Sequence, residues 1–140
     1  YHPINSEINP LSLIEYLYTK NKTICLPLVV NKEKPLIFKP WRPGKKMVIG
    51  HYGISVPDND QTLIPDLIIC PLLAYDSKGM RLGYGGGFYD KTIKYLRKNK
   101  QVKYIGLAFS GQKSYHDLPS EVHDVPLDAV LTEKGMDYFQ

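Results

Sequence analysis

The sequence predicts a layered α/β fold with a largely parallel sheet flanked by helices. DLIIC (66–70) and VKYIGLAF (102–109) are apolar without alternation, the pattern of strands covered on both faces. Between them FYDKTIKYLRK places Tyr89, Ile93 and Leu96 on one face and Lys91, Lys94, Arg97 and Lys98 on the other, as an amphipathic helix does. Strand, helix and strand in succession is the unit from which parallel sheets are built.

The remaining elements follow in order. NPLSLIEYLYTKNK predicts a helix, with Asn9 as N-cap, Pro10 in the first turn and Leu11, Ile14 and Tyr18 recurring on one face. TICLPLVV and PLIFKP are short β-rich runs, and NKEK between them is a turn joining neighbouring strands. From Trp41 to Pro65, prolines and glycines argue against long regular elements. DAVLT is expected to be the last strand.

At 140 residues the chain suits one domain, 1–140. Hydrophobic content of 43% and charged content of 23% are those of an ordinary globular protein. The longest apolar run, Leu67 to Tyr75, is broken by Pro71 and falls far below the ~20 residues of a membrane span. Cys25 and Cys70 sit in strand-like runs without metal spacing, so reduced buried thiols and a cytoplasmic setting are expected. The net charge of +4 is dispersed, which suits a solvated surface and anionic small molecules better than nucleic acid.

The chemistry concentrates in RLGYGGGFYD (81–90), where four glycines fall within five positions directly before the helix. Glycine lets backbone N–H groups converge on an anion without a Cβ in the way, and a helix starting at Gly87 or Phe88 adds its own unpaired N–H groups. Arg81 could add a bidentate contact to phosphate oxygens. Asp90, in the first helical turn, is placed to hold Mg²⁺ beside them. The competing reading is a flexible connector with Asp90 as a plain helix-start carboxylate. In the metal-binding reading too, Asp90 is expected to be a first-turn surface acid whose removal costs the helix only ~0.3–1 kcal/mol and leaves folding largely intact. Neither G-x-G-x-x-G nor G-x-x-x-x-G-K-[ST] is present.

Taken with its surroundings, RLGYGGGFYD resembles the hallmark RLGxGxGxYD of the 5-formyltetrahydrofolate cyclo-ligase (methenyltetrahydrofolate synthetase) family. Arg81, Leu82, Gly83, Gly85, Gly87, Tyr89 and Asp90 all match it, and PINSEINPLSLIEYL, FKPWRPG, HYGISVP and HDVPLDAVLTE follow in the family's order. The resemblance implies a sugar-phosphate isomerase/CoA-transferase-like layered sheet. It also implies an ATP- and Mg²⁺-dependent enzyme that converts 5-formyltetrahydrofolate to 5,10-methenyltetrahydrofolate, releasing ADP and phosphate.

Carried over residue by residue, Arg81, Leu82, Gly83, Tyr84, Gly85, Gly86, Gly87, Phe88 and Tyr89 wrap the ATP phosphates, with Arg81 as the catalytic residue. Tyr84 to Phe88 also border the folate, with His2, Glu7 and Tyr52. Glu7 matches the carboxylate that reads the pterin, as two acceptor oxygens facing a 2-amino-4-oxo ring can. Asp90 and Asp124 match the metal positions, and Asp128 is a weaker candidate. Bland readings remain beside these: Glu7 as a surface acid, Tyr52 as a core aromatic, His2 as polar surface, Asp124 as a loop acid. Phe88 stands where the family often has Tyr.

One departure bears on activity. Known members carry a further N-terminal helical segment whose Lys and Arg residues contact ATP, whereas this chain opens at YHPINSE, where the family is already in its first strand. The expectation is a monomeric cyclo-ligase of weakened activity, with a partner chain as one source of the basic residues. The alternative is a truncated, catalytically weak or inactive folate- or nucleotide-binding relative. An RNA-associated module, prompted by the positive charge and eleven tyrosines, is a third class.

Overall fold

The computed structural model describes residues 1–140. An irregular segment leads into α1 (Leu11–Thr19). The side chain of Asn9 accepts the Leu11 N–H at 3.0 Å, doing the work of an N-cap. Only Ile14 is buried on this helix, while Leu11 and Tyr18 are exposed. The packed stripe is therefore Leu13, Ile14 and Leu17, not the predicted Leu11–Ile14–Tyr18 face.

Strands β1 (Ile24–Leu28) and β2 (Ile37–Trp41) pair antiparallel, as the intervening NKEK predicts. The loop-rich middle holds a further hairpin, β3 (Met47–Ile49) with β4 (Ser55–Pro57). Three-residue strands are compatible with its prolines because Pro57 lies at a strand end, where a missing N–H costs little.

Next come β5 (Leu67–Pro71) and the two-residue strands β6 (Ala74–Tyr75) and β7 (Arg81–Leu82), paired with each other. The turn between β6 and β7 is held by Asp76, 1% exposed, whose Oδ1 accepts N–H groups of Lys78 and Met80 and whose Oδ2 accepts that of Leu118. Helix α2 (Phe88–Leu96), β8 (Lys103–Leu107), β9 (Ala129–Thr132) and β10 (Gly135–Tyr138) complete the chain.

The main sheet runs β10-β9-β8-β5, with β5, β8 and β9 parallel and β10 antiparallel to β9. This is the predicted mixed α/β architecture with a largely parallel sheet, with only two helices beside it. DAVLT is not the last strand. GMDY continues the sheet at an exposed edge, which its Gly and Asp do not announce. Nor is β5 covered on both faces: Ile68 and Cys70 are buried and Leu67 is exposed, an alternation that marks one core-facing side.

A cluster of buried side chains, including Phe38, Ile68, Cys70, Tyr75, Ile93, Tyr104 and Val130, joins this sheet to α2 and β2. Thr92 fastens the same joint, its Oγ1 accepting the Leu36 N–H at 2.9 Å and donating to the Phe88 carbonyl at 2.6 Å. The effect is to hold the start of α2 against β2, beyond the carboxyl end of β5, where open parallel sheets present their ligand crevice.

Candidate functional site

Residues 83–87 bridge the end of β7 and the start of α2, and the four glycines among them meet steric or turn requirements there. Gly85 has φ +88° with nothing within 4 Å of a built Cβ, so the backbone conformation alone requires glycine. Gly87 is the N-cap of α2 at φ +61°. At Gly83 the need is steric, since a Cβ would stand 2.7 Å from Arg81 Nη1. The helix thus starts where the sequence predicts, with its first N–H groups facing the loop.

These residues line one cavity of about 970 Å³. Apart from the weaker metal candidate Asp128, every residue predicted for the site borders it: His2, Glu7, Tyr52, the whole run Arg81–Tyr89, Asp90 and Asp124. Segments about 120 residues apart in the sequence therefore share a single wall-to-wall space. Sequence reasoning missed Tyr1, His51, Lys91, Lys94 and His123, which also border it. Helical spacing was the available signal for two of these, because Lys91 and Lys94 stand one and four residues beyond Asp90 on the helix that begins at the loop. Lys91 donates to the Lys32 carbonyl and stands 5.6 Å from the Phe88 ring centroid, and Lys94 donates to the Val122 carbonyl at 3.3 Å.

Arg81 and Asp90 form the electrostatic centre. Arg81 Nη2 donates to Asp90 Oδ2 at 2.8 Å, and the two side chains are 9% and 12% exposed. Arg81 Nε donates to the Tyr104 hydroxyl at 2.6 Å. Asp90 Oδ1 accepts the Val125 N–H at 3.0 Å, tying α2 to the segment that carries Asp124. Asp90 is thus not the first-turn surface acid that the sequence predicts on either reading. It is 8% exposed and joins three chain segments.

Asp124 is half-buried, and its Oδ2 accepts the Glu121 N–H at 2.8 Å. Asp90 and Asp124 border the same cavity, but no group of three or more His, Cys, Asp or Glu side chains comes together. The protein offers a cation two carboxylates and no complete cage. Asp128 faces elsewhere, accepting the Tyr104 N–H at 2.7 Å and Arg97 Nη2 at 2.8 Å, so its visible work is to hold β8 and the end of α2 together.

Glu7 Oε2 accepts the Ile4 N–H at 2.9 Å, and burial pushes its carboxyl above the usual range. Tyr52 is 60% exposed, not a core aromatic, and its ring meets Phe88 edge to face at 6.3 Å. The cavity wall accordingly carries a carboxylate, aromatic rings, the glycine loop and several cations. Such a space suits an elongated ligand with a flat polar ring and a polyanion.

A profile of the 5-formyltetrahydrofolate cyclo-ligase family matches residues 1–133. A 5-formyltetrahydrofolate cyclo-ligase of Haemophilus influenzae is 38% identical over 137 residues, covering 94% of this chain and 72% of that protein. One from Escherichia coli K12 is 34% identical, covering 91% and 72%. Among solved structures, the 5,10-methenyltetrahydrofolate synthetase of Aquifex aeolicus superposes with a TM-score of 0.72 at 27% identity, covering 99% of this chain and 69% of that one. A synthetase from Mycoplasma pneumoniae gives 0.67 at 26% identity, covering 93% and 68%.

Proposed function

The chain belongs to the 5-formyltetrahydrofolate cyclo-ligase family, and from that premise we propose that it converts 5-formyltetrahydrofolate to 5,10-methenyltetrahydrofolate at the expense of ATP. The observation that carries this reading is the single cavity of about 970 Å³ bordered by Glu7 and Tyr52 as well as by the whole of Arg81–Asp90. A folate and a nucleoside triphosphate can meet only where both walls face one space.

In this reading ATP transfers its terminal phosphoryl group to the formyl oxygen, the bond to ADP breaking as the new P–O bond forms. The second folate nitrogen then attacks the activated carbon, and the C–O bond breaks to release phosphate. The protein's work is placement and charge neutralisation, which suffice for phosphoryl transfer. The Gly83–Gly87 amides and the first N–H groups of α2 hold phosphate oxygens. Arg81 presents its remaining N–H donors to the transferring group. Glu7 accepts from the pterin edge, and Tyr52 with Phe88 covers the ring faces.

Asp90 and Asp124, which border the same cavity, would hold a Mg²⁺ ion there, because one or two carboxylates are what such an ion commonly asks of a protein beside bound phosphates. When bound, it supplies neutralisation of phosphate charge. The same reading carries a monomeric cytoplasmic protein of one domain, acting on two small molecules. No helix is long and apolar enough to cross a membrane.

The direct test incubates the protein with 5-formyltetrahydrofolate, ATP and Mg²⁺ and follows the absorbance of the methenyl product. Product that requires all three components supports the assignment. Binding of both small molecules without turnover removes it.

A further inference from the structure

Arg81 carries five N–H donors in one plane, and two of them are already engaged. Nε donates to the Tyr104 hydroxyl at 2.6 Å and Nη2 to Asp90 Oδ2 at 2.8 Å. The third nitrogen, Nη1, lies beneath the glycine loop, where a Cβ on Gly83 would stand 2.7 Å from it. With only the Asp90 contact, the guanidinium could pivot about one bond. The second contact, on a different nitrogen, removes that pivot and fixes which edge the group turns toward the loop.

We propose that Tyr104 is a positioning residue for phosphoryl transfer, acting through Arg81; this rests on the functional reading given above. Tyr104 does not border the cavity, so it does not touch the substrates. It is 0% exposed in the middle of the sheet, on β8. Its backbone is clamped: its N–H donates to Asp128 Oδ2 at 2.7 Å, and its carbonyl accepts the Asp128 N–H at 2.8 Å. Its ring lies 5.6 Å from the guanidinium carbon, and the Tyr89 ring stands 5.9 Å away. A fully buried residue, held at both backbone groups by Asp128, thereby sets the plane of the one arginine at the loop. The stem of Arg81 cannot do this alone, because β7 is only two residues long.

The experiment is Tyr104→Phe, which keeps the ring and deletes the hydroxyl. The expected result is a fall in kcat of about tenfold to a hundredfold, the scale of a small misplacement at a reacting centre. ATP affinity falls with it, while the KM for folate stays within about twofold. Val130→Ala, a core truncation on neighbouring β9 that does not reach Arg81, should lower Tm and leave kcat and ATP affinity unchanged. If Tyr104→Phe behaves like Val130→Ala, the proposal is overturned.

In an Arg81→Lys background, deleting the hydroxyl should change nothing further, and additive losses would count against a route through Arg81. A measurement on the unaltered protein needs no variant: the Arg81 Nε–H should be protected from solvent exchange and should shift when ATP is added. Free exchange or no shift overturns the idea. If the unaltered chain binds ATP but makes no methenyl product, the functional reading fails, and the positioning role stands or falls on the effect of Tyr104→Phe on ATP affinity. If ATP does not bind at all, both fall.

Discussion

Arg81 and Asp90 are nine residues apart in sequence and 2.8 Å apart in space, in an ion pair whose side chains are 9% and 12% exposed. Removing one partner of such a pair leaves the other charge in poor solvent, at a cost of about 3–5 kcal/mol. Asp90→Ala should therefore lower the denaturant midpoint substantially as well as impair nucleotide use, and loosen the 121–125 segment through the lost Val125 contact. Urea unfolding of the two proteins checks this. A loss under about 1 kcal/mol would return Asp90 to the role of an ordinary first-turn acid.

How far such features can be read from sequence depends on the range of the interaction. The β1–β2 hairpin, the start of α2 at Gly87 and the placing of the glycine loop at the site follow from local signals: a polar turn, a glycine before an amphipathic run, a dense motif. His2, Glu7, Tyr52 and Asp124 are assigned to the site only through the family resemblance. Burial of Asp90 does not, because it depends on Arg81 across the loop and on Val125, 35 residues away. The same holds for Tyr104, which reads as one apolar residue of a strand until Arg81 is brought to its hydroxyl. Strand β10 was hidden for another reason. All four of its residues are exposed, so no burial pattern marks it, and Gly135 at φ +125° lets the chain reverse into it.

Glu7 makes stability depend on pH in a predictable sense. Burial raises its carboxyl in the fold, so the fold favours the protonated form. Its contribution is fully present below the unfolded value and is lost as pH rises through the higher folded value. Glu7→Gln keeps an acceptor for the Ile4 N–H and cannot ionise. The variant should match the unaltered protein below about pH 4 and have the higher Tm at neutral pH, while binding folate less tightly. Thermal melts across pH decide it: convergence at high pH instead of low would reverse the sign and refute the account.

The two cysteines should differ from ordinary thiols and from each other. Burial pushes Cys70 up to about 11, and it raises Cys25, which is half-buried, in the same direction. Thiolate is the reactive form, so a disulfide reagent near neutral pH should leave Cys70 untouched in the native protein and modify Cys25 only slowly. Both should react at once in denaturant. Rapid native-state modification of Cys70 would mean that β5 opens readily from the sheet.

Tyr52 joins the site to a strained turn. It has φ 58° and ψ 23°, is followed by Gly53 at φ +69°, and the Ile54 N–H closes the turn on the His51 carbonyl at 3.3 Å. Two consecutive left-handed residues suit a type I′ turn, where Asn-Gly is preferred and a bulky residue in the first position is penalised. For an L residue with a large side chain the cost is roughly 1–2 kcal/mol. What offsets it is position: the turn projects the ring, 60% exposed, into the cavity and against Phe88. Strain of this kind at a pocket wall points to use in binding. Tyr52→Asn should therefore raise stability by about 1 kcal/mol while weakening folate binding by roughly tenfold or more, as loss of a stacking ring does. Calorimetric melting and folate titration of the same variant separate the two effects. A variant that gains stability and keeps its affinity would show that the ring is not part of the folate wall, and one that loses both would place the strain elsewhere.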